Sequence, residues 1–113
     1  MEVRMDSTPD GMIARLSGEL DHHGARQLRE QVDAMVEKLK PPRLCLDFSG
    51  VSFMDSSGIG LIMGRYRLMQ MYGGVLTVTG MSVRIRKVME LAGLDKLGIL
   101  QAGGDAGRED KQA

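Results

Sequence analysis

A chain of 113 residues, 42% hydrophobic and 27% charged, is long enough for one domain with a real core. Its 15 basic and 15 acidic residues cancel, and it has two Tyr, two Phe and no Trp, so it has neither the charge nor the stacking surface expected of a nucleic-acid binder. The single Cys45 excludes an internal disulfide, no apolar run is long enough to span a bilayer, and the N-terminus lacks a signal-peptide pattern, which together predict a cytoplasmic protein with no membrane role.

Glu2–Ser7 alternates weakly and predicts a first strand. Thr8-Pro9-Asp10-Gly11 is a turn with a mechanism, since Pro presets φ and Asp-Gly tolerates the left-handed corner. Met12–Ser17 then pairs back as the second strand of a hairpin. Gly18–Gly24 reads as a loop into a helix with Asp21 as its N-cap. Leu28, Val32, Met35, Val36 and Leu39 form the buried stripe of that helix, and Pro41-Pro42 ends it.

Arg43–Phe48 is apolar nearly throughout, as expected of a central strand covered on both faces, with Cys45 as a small core residue in it. Ser49–Ser52 is the connection, and a second helix is predicted from Ser56 to Tyr72, stopped by Gly73-Gly74. Val75–Thr79 is a β-branched strand. Ser82 caps a third helix, with Ile85, Val88, Met89 and Ala92 on one stripe, ended by Gly93. Leu94–Leu100 is expected to return to the sheet as a short strand. Residues 103–113 hold no apolar residue larger than Ala and are expected to be a disordered tail. Strands alternating with helices predict an α/β domain over residues 1–102: a mixed, mostly parallel sheet of about five strands, an N-terminal hairpin and three to four helices.

The chemistry-bearing residues gather at Asp55-Ser56-Ser57-Gly58, the predicted start of the second helix. Unpaired N–H groups and the positive dipole end suit a capping side chain there, and equally an anion or a phosphorylated serine. A catalytic reading is weak. His22 and His23 are the only histidines, no Gly-x-Ser-x-Gly elbow exists, and nothing in the sequence brings them to Ser56 or Ser57. Adjacent histidines on a helix point about 100° apart and do not chelate together, and no Cys/His cluster has zinc spacing, so no metal or cofactor is expected. Gly58-Ile59-Gly60 lacks the later glycine of a dinucleotide fingerprint, that position being Met63.

Gly60 and Gly64 share a face of the second helix, each at a cost of about 1 kcal/mol relative to Ala. Close packing on the sheet and close approach of another chain both explain them. The helix also has two apolar stripes, Ile59, Ile62, Met63, Tyr66 and Met69 against Leu61, Leu68 and Tyr72, separated by Arg65, Arg67 and Gln70. The pattern leaves open which stripe faces in.

Leu16–His23, Phe53–Gly60, Leu61–Tyr66, Gly73-Gly74 and Leu91–Leu94, in this order, resemble the STAS family, and within it the anti-sigma factor antagonists of sporulation. The resemblance implies a binding module, not an enzyme, monomeric when free. Such a protein binds an anti-sigma factor that is also a serine kinase and thereby releases the sigma factor. The kinase then phosphorylates the serine after the motif aspartate, here Ser56, and a PP2C-type phosphatase resets the switch. On this basis Asp21, Asp55, Ser57, Gly58, Gly60 and Gly64 are expected to meet the partner, with Ser57 as the capping neighbour of the acceptor. Relatives usually carry a further amphipathic helix after the last strand, which residues 103–113 do not encode. STAS domains also serve as subunits of transporter or lipid-transport assemblies, which is the rival reading; a small nucleotide-binding or hydrolytic enzyme is the second.

Overall fold

The computed structural model describes residues 1–101; the expected tail, 103–113, lies outside the described residues. The chain runs β1 (Glu2–Thr8), β2 (Gly11–Leu20), α1 (His22–Leu39), β3 (Arg43–Met54), α2 (Ser56–Met71), β4 (Val75–Thr79) and α3 (Val83–Leu91), followed by a 3₁₀ turn at Leu94–Leu97. The sheet order is β1-β2-β3-β4. β1 and β2 form the antiparallel hairpin, while β2–β3 and β3–β4 are parallel. The parallel pairs follow from the helical crossovers between them, which a short turn cannot replace.

The expected fifth strand is reduced to one parallel bridge, Val78 with Leu100. Val78 N–H donates to the Ile99 carbonyl and Gln101 N–H donates to the Val78 carbonyl, each at 2.8 Å. Gly93 and Gly98, both at positive φ, flank the 3₁₀ turn that consumes the residues between them. The apolar count over 94–100 is right for a buried segment, and the two glycines decide that it turns instead of extending.

β2 and β3 run further than expected, through stretches that read as loops. The β2–β3 register shifts between Arg15 and Ser17 and again between Gly18 and Glu19. Glycine in a strand marks a bulge or a close backbone approach as often as a loop. Both apply here: Gly18 has φ +106°, and a Cβ on Gly50 would stand 2.8 Å from the Leu16 carbonyl oxygen. The bulged strands carry on to Leu20 and Met54, which pair with each other and set where both following helices begin.

One sheet face is buried and the other is not. Met12, Ala14, Leu16, Leu44, Leu46, Phe48, Leu76 and Val78 point into the core, which they share with Leu28, Val32 and Val36 of α1, Ile62 and Met69 of α2, and Ile85 and Met89 of α3. The opposite face carries an ion-paired row across three strands: Arg4–Asp6 at 3.7 Å, Arg15–Asp6 at 2.8 Å and Arg15–Asp47 at 3.3 Å. Among the described residues β3 is therefore not covered on both faces. Its residues Cys45 and Asp47 lie on the polar side, half-buried, and Cys45 is not a core residue. Partial burial still pushes its thiol above the ordinary range.

Candidate functional site

Leu20 and Met54 end neighbouring parallel strands, so the next residues, Asp21 and Asp55, emerge side by side at the carboxyl edge of the sheet. That edge is where open α/β sheets present their binding groups. Both aspartates are N-caps. Asp21 accepts a hydrogen bond from Gly24 N–H at 2.8 Å and starts α1. The Gly24 N–H holds its carboxyl below the usual carboxylate range. Asp55 accepts from Ser57 N–H at 2.8 Å and starts α2. The cap of α2 is thus Asp55, not Ser57, because only Asp55 has the extended backbone that aims a side-chain oxygen back at the first turn.

Ser56, the first residue of α2, is exposed. Phe53, just before the cap, is 48% exposed although it is an aromatic residue in a strand. Sequence reasoning gave it no role because the apolar strand reads as ending at Phe48, which leaves Phe53 in the approach to the helix. Gly58 is buried, and a Cβ there would come within 2.4 Å of Met54 Cγ and 3.1 Å of Leu20 Cδ2. It lets α2 start close against the ends of β2 and β3, and its immediate surroundings are internal.

Gly60 and Gly64 are the opposite case. A Cβ on either would meet nothing within 4 Å. With Ser57, Leu61 and Arg65 they form one wall of a cleft of about 550 Å³, whose other wall is His22, Ala25, Arg26 and Arg29 of α1. The cleft also brings His22 and Ser57 into one lining, a neighbourhood that nothing in the sequence pattern indicates. No hydrogen bond links the two among the described residues, and the neighbouring carboxylates, Asp21 and Asp55, are spent on capping.

Arg65 is the residue that the pattern of α2 concealed. It is 7% exposed, and its Nε lies 2.9 Å from Asp33 Oδ1 of α1. The inward face of α2 is Gly58, Leu61, Ile62, Arg65 and Met69, which takes residues from both predicted stripes and the arginine between them. Nε and Oδ1 are in ion-pair contact without hydrogen-bond alignment, and Arg65 Nη1 reaches only the Leu61 carbonyl, at 3.5 Å. Burial lowers the Arg65 pKa and raises that of Asp33, each opposed by the other's charge. No group of His, Cys, Asp and Glu among the described residues could hold a metal ion, and no described helix is long and apolar enough to cross a membrane.

This arrangement, a hairpin followed by parallel crossovers with two capped helices starting at one sheet edge, is that of a STAS domain. A family model described as "Mlab, STAS domain" matches residues 3–101, and the chain belongs to the STAS family. It is 34% identical over 97 residues, 86% of this chain and 83% of the relative, to the anti-sigma F factor antagonist of Paenibacillus polymyxa. The structure of the anti-sigma factor antagonist SpoIIAA in its unphosphorylated form matches with a TM-score of 0.79 at 28% identity, over 97% of this chain and 95% of that one. The phosphorylated form of SpoIIAA from Bacillus matches with a TM-score of 0.72 at 28% identity, over 99% of this chain and all of that one.

Proposed function

We propose that this protein is an anti-sigma factor antagonist whose binding is turned off by phosphate on Ser56. The unphosphorylated form binds an anti-sigma factor with serine kinase activity and so frees a sigma factor in the cytoplasm. The kinase inactivates it at Ser56, and a PP2C-type phosphatase restores it. The observation that carries this reading is the environment of Ser56: an exposed hydroxyl on the first residue of a helix already capped by Asp55, at the sheet edge shared with Asp21.

The physics gives the switch its direction. A phosphate there adds close to two negative charges beside the Asp55 carboxylate, and the helix dipole tolerates them. A partner docked over Phe53, Asp21 and Ser56 would have to desolvate that charge, so binding is lost while the fold is kept. Incubation with ATP and the candidate anti-sigma factor kinase of the same genome, followed by phosphosite mapping, tests the assignment. Phosphate is expected on Ser56 alone. Ser56→Ala is expected to bind the kinase as wild type does, without modification, and Ser56→Asp to bind at least tenfold more weakly. Equal binding of both variants sinks the mechanism, and phosphate found only on Ser57 moves the site.

A further inference from the structure

We propose that the cleft between α1 and α2 receives an acidic segment of the anti-sigma factor, with carboxylates at Arg26, Arg29 and Arg65 and backbone against Gly60 and Gly64. The inference rests on the antagonist reading above and adds the chemistry of the partner's docking segment.

Three observations lead to it. First, three arginines line the cleft and no carboxylate does, although Asp33, outside the lining, is in ion-pair contact with Arg65. Arg26 has a loose, exposed contact with Glu30 at 3.8 Å, and Arg29 has no carboxylate within 4 Å among the described residues. Second, Arg65 is more than nine-tenths buried and lines the cleft; its Nε is in ion-pair contact with Asp33 at 2.9 Å, and its single hydrogen bond among the described residues is the 3.5 Å contact of Nη1 with the Leu61 carbonyl, so the rest of the fork has no protein acceptor there. A guanidinium presents five N–H donors in a planar fork that fits a carboxylate. Third, Gly60 and Gly64 lie one turn apart on the cleft wall, and the fold itself has no need of their missing side chains. Glycine in a helix interior destabilises relative to Ala, so internal packing, one of the two explanations that the sequence allowed, does not account for them. What remains is the close approach of another backbone.

The shape favours a chain over a free ion. The bare strip extends about one helical turn, roughly 5 Å, and is continuous with the start of α2 through Ser57. An acidic occupant also fits the sign of the switch, because phosphate on the adjacent Ser56 repels it.

Affinity of the full chain for the purified kinase, measured by calorimetry at low and moderate salt, tests the proposal. Arg29→Glu is expected to weaken binding at least tenfold. Gly64→Ala is expected to weaken it at least fivefold while its melting temperature rises, which separates a lost contact from a lost fold. Wild-type affinity is expected to fall as salt increases, and Lys87→Glu, on α3, to bind within twofold of wild type. If Arg29→Glu and Gly64→Ala bind within twofold of wild type, the cleft proposal is overturned and the Ser56 switch stands. If wild type fails to bind any form of the kinase, both fall. Binding of inorganic phosphate by the free protein that Arg29→Glu abolishes, with kinase affinity unchanged, assigns the cleft to a small anion and also overturns the proposal.

Discussion

Ser56 and Ser57 are chain neighbours with different surroundings. Ser56 is open to solvent, whereas Ser57 gives its N–H to the Asp55 carboxylate and lines the arginine cleft. The sequence placed the carboxylate and both hydroxyls at a helix start but could not divide the labour among them, because Asp and Ser cap about equally well. Backbone conformation makes the division, and the conformation follows from where β3 ends. Asp21 allows a check of the parallel cap. Its folded pKa is depressed by the Gly24 N–H, so its contribution to stability is present above the ordinary carboxylate value and is lost as pH falls through the folded value. Asp21→Asn keeps the capping oxygen without the charge. Urea midpoints measured between about pH 2 and 6 are expected to fall less steeply with acid in Asp21→Asn than in wild type. Identical acid profiles would mean that the charge on the Asp21 cap contributes nothing to folding.

At the scale of elements, α2 shows both what a sequence reveals and what it hides. Its start, its end at Gly73-Gly74 and its three interior glycines were all legible. The three glycines nonetheless do different things. Gly58 is enclosed by Met54 and Leu20, and Gly60 and Gly64 face open space. Nothing local distinguishes them, since the difference arises from the β2 and β3 ends, far away in sequence. Stability measurements should separate them. Gly60→Ala and Gly64→Ala are each expected to stabilise by about 1 kcal/mol, a rise of roughly 4–8 °C in melting temperature for a domain of this size. Gly58→Ala is expected to destabilise by about 1–3 kcal/mol through overpacking. A Gly58→Ala variant as stable as Gly60→Ala would show that the packing of α2 on the strand ends is loose. The inward face of α2 stays undecided in the sequence for a related reason. A periodic pattern assumes that core positions are apolar, and Arg65 occupies one because Asp33 of another helix supplies the opposite charge.

For the whole molecule, the element order and the mixed sheet were legible because strand and helix periods alternate cleanly up to α3. The polar outer face was not. β3 reads as a continuous apolar run, and only the register with Arg15 shows that Asp47 and Cys45 stand on the ion-paired side. The two-layer plan bears directly on how the proposed switch would work. Ser56 lies at the rim of the core, on a helix whose cap, buried glycine and inter-helix ion pair are all made without its hydroxyl. Phosphate there meets a favourable helix dipole, worth about 0.3–1 kcal/mol at an exposed terminus, and unfavourable repulsion from Asp55. These oppose each other, so the net change in fold stability should stay below about 1 kcal/mol, a melting shift of a few degrees. This chain matches both the unphosphorylated and the phosphorylated SpoIIAA structures over nearly its whole length, so one fold accommodates both forms of that relative. Amide spectra of the Ser56-phosphorylated protein are therefore expected to change at residues 20–24 and 53–64 and to stay unchanged in β1, β4 and α3. Shifts reaching β4 and α3, or a melting change above about 8 °C, would mean that the phosphate acts by rearranging the domain and not by blocking its surface.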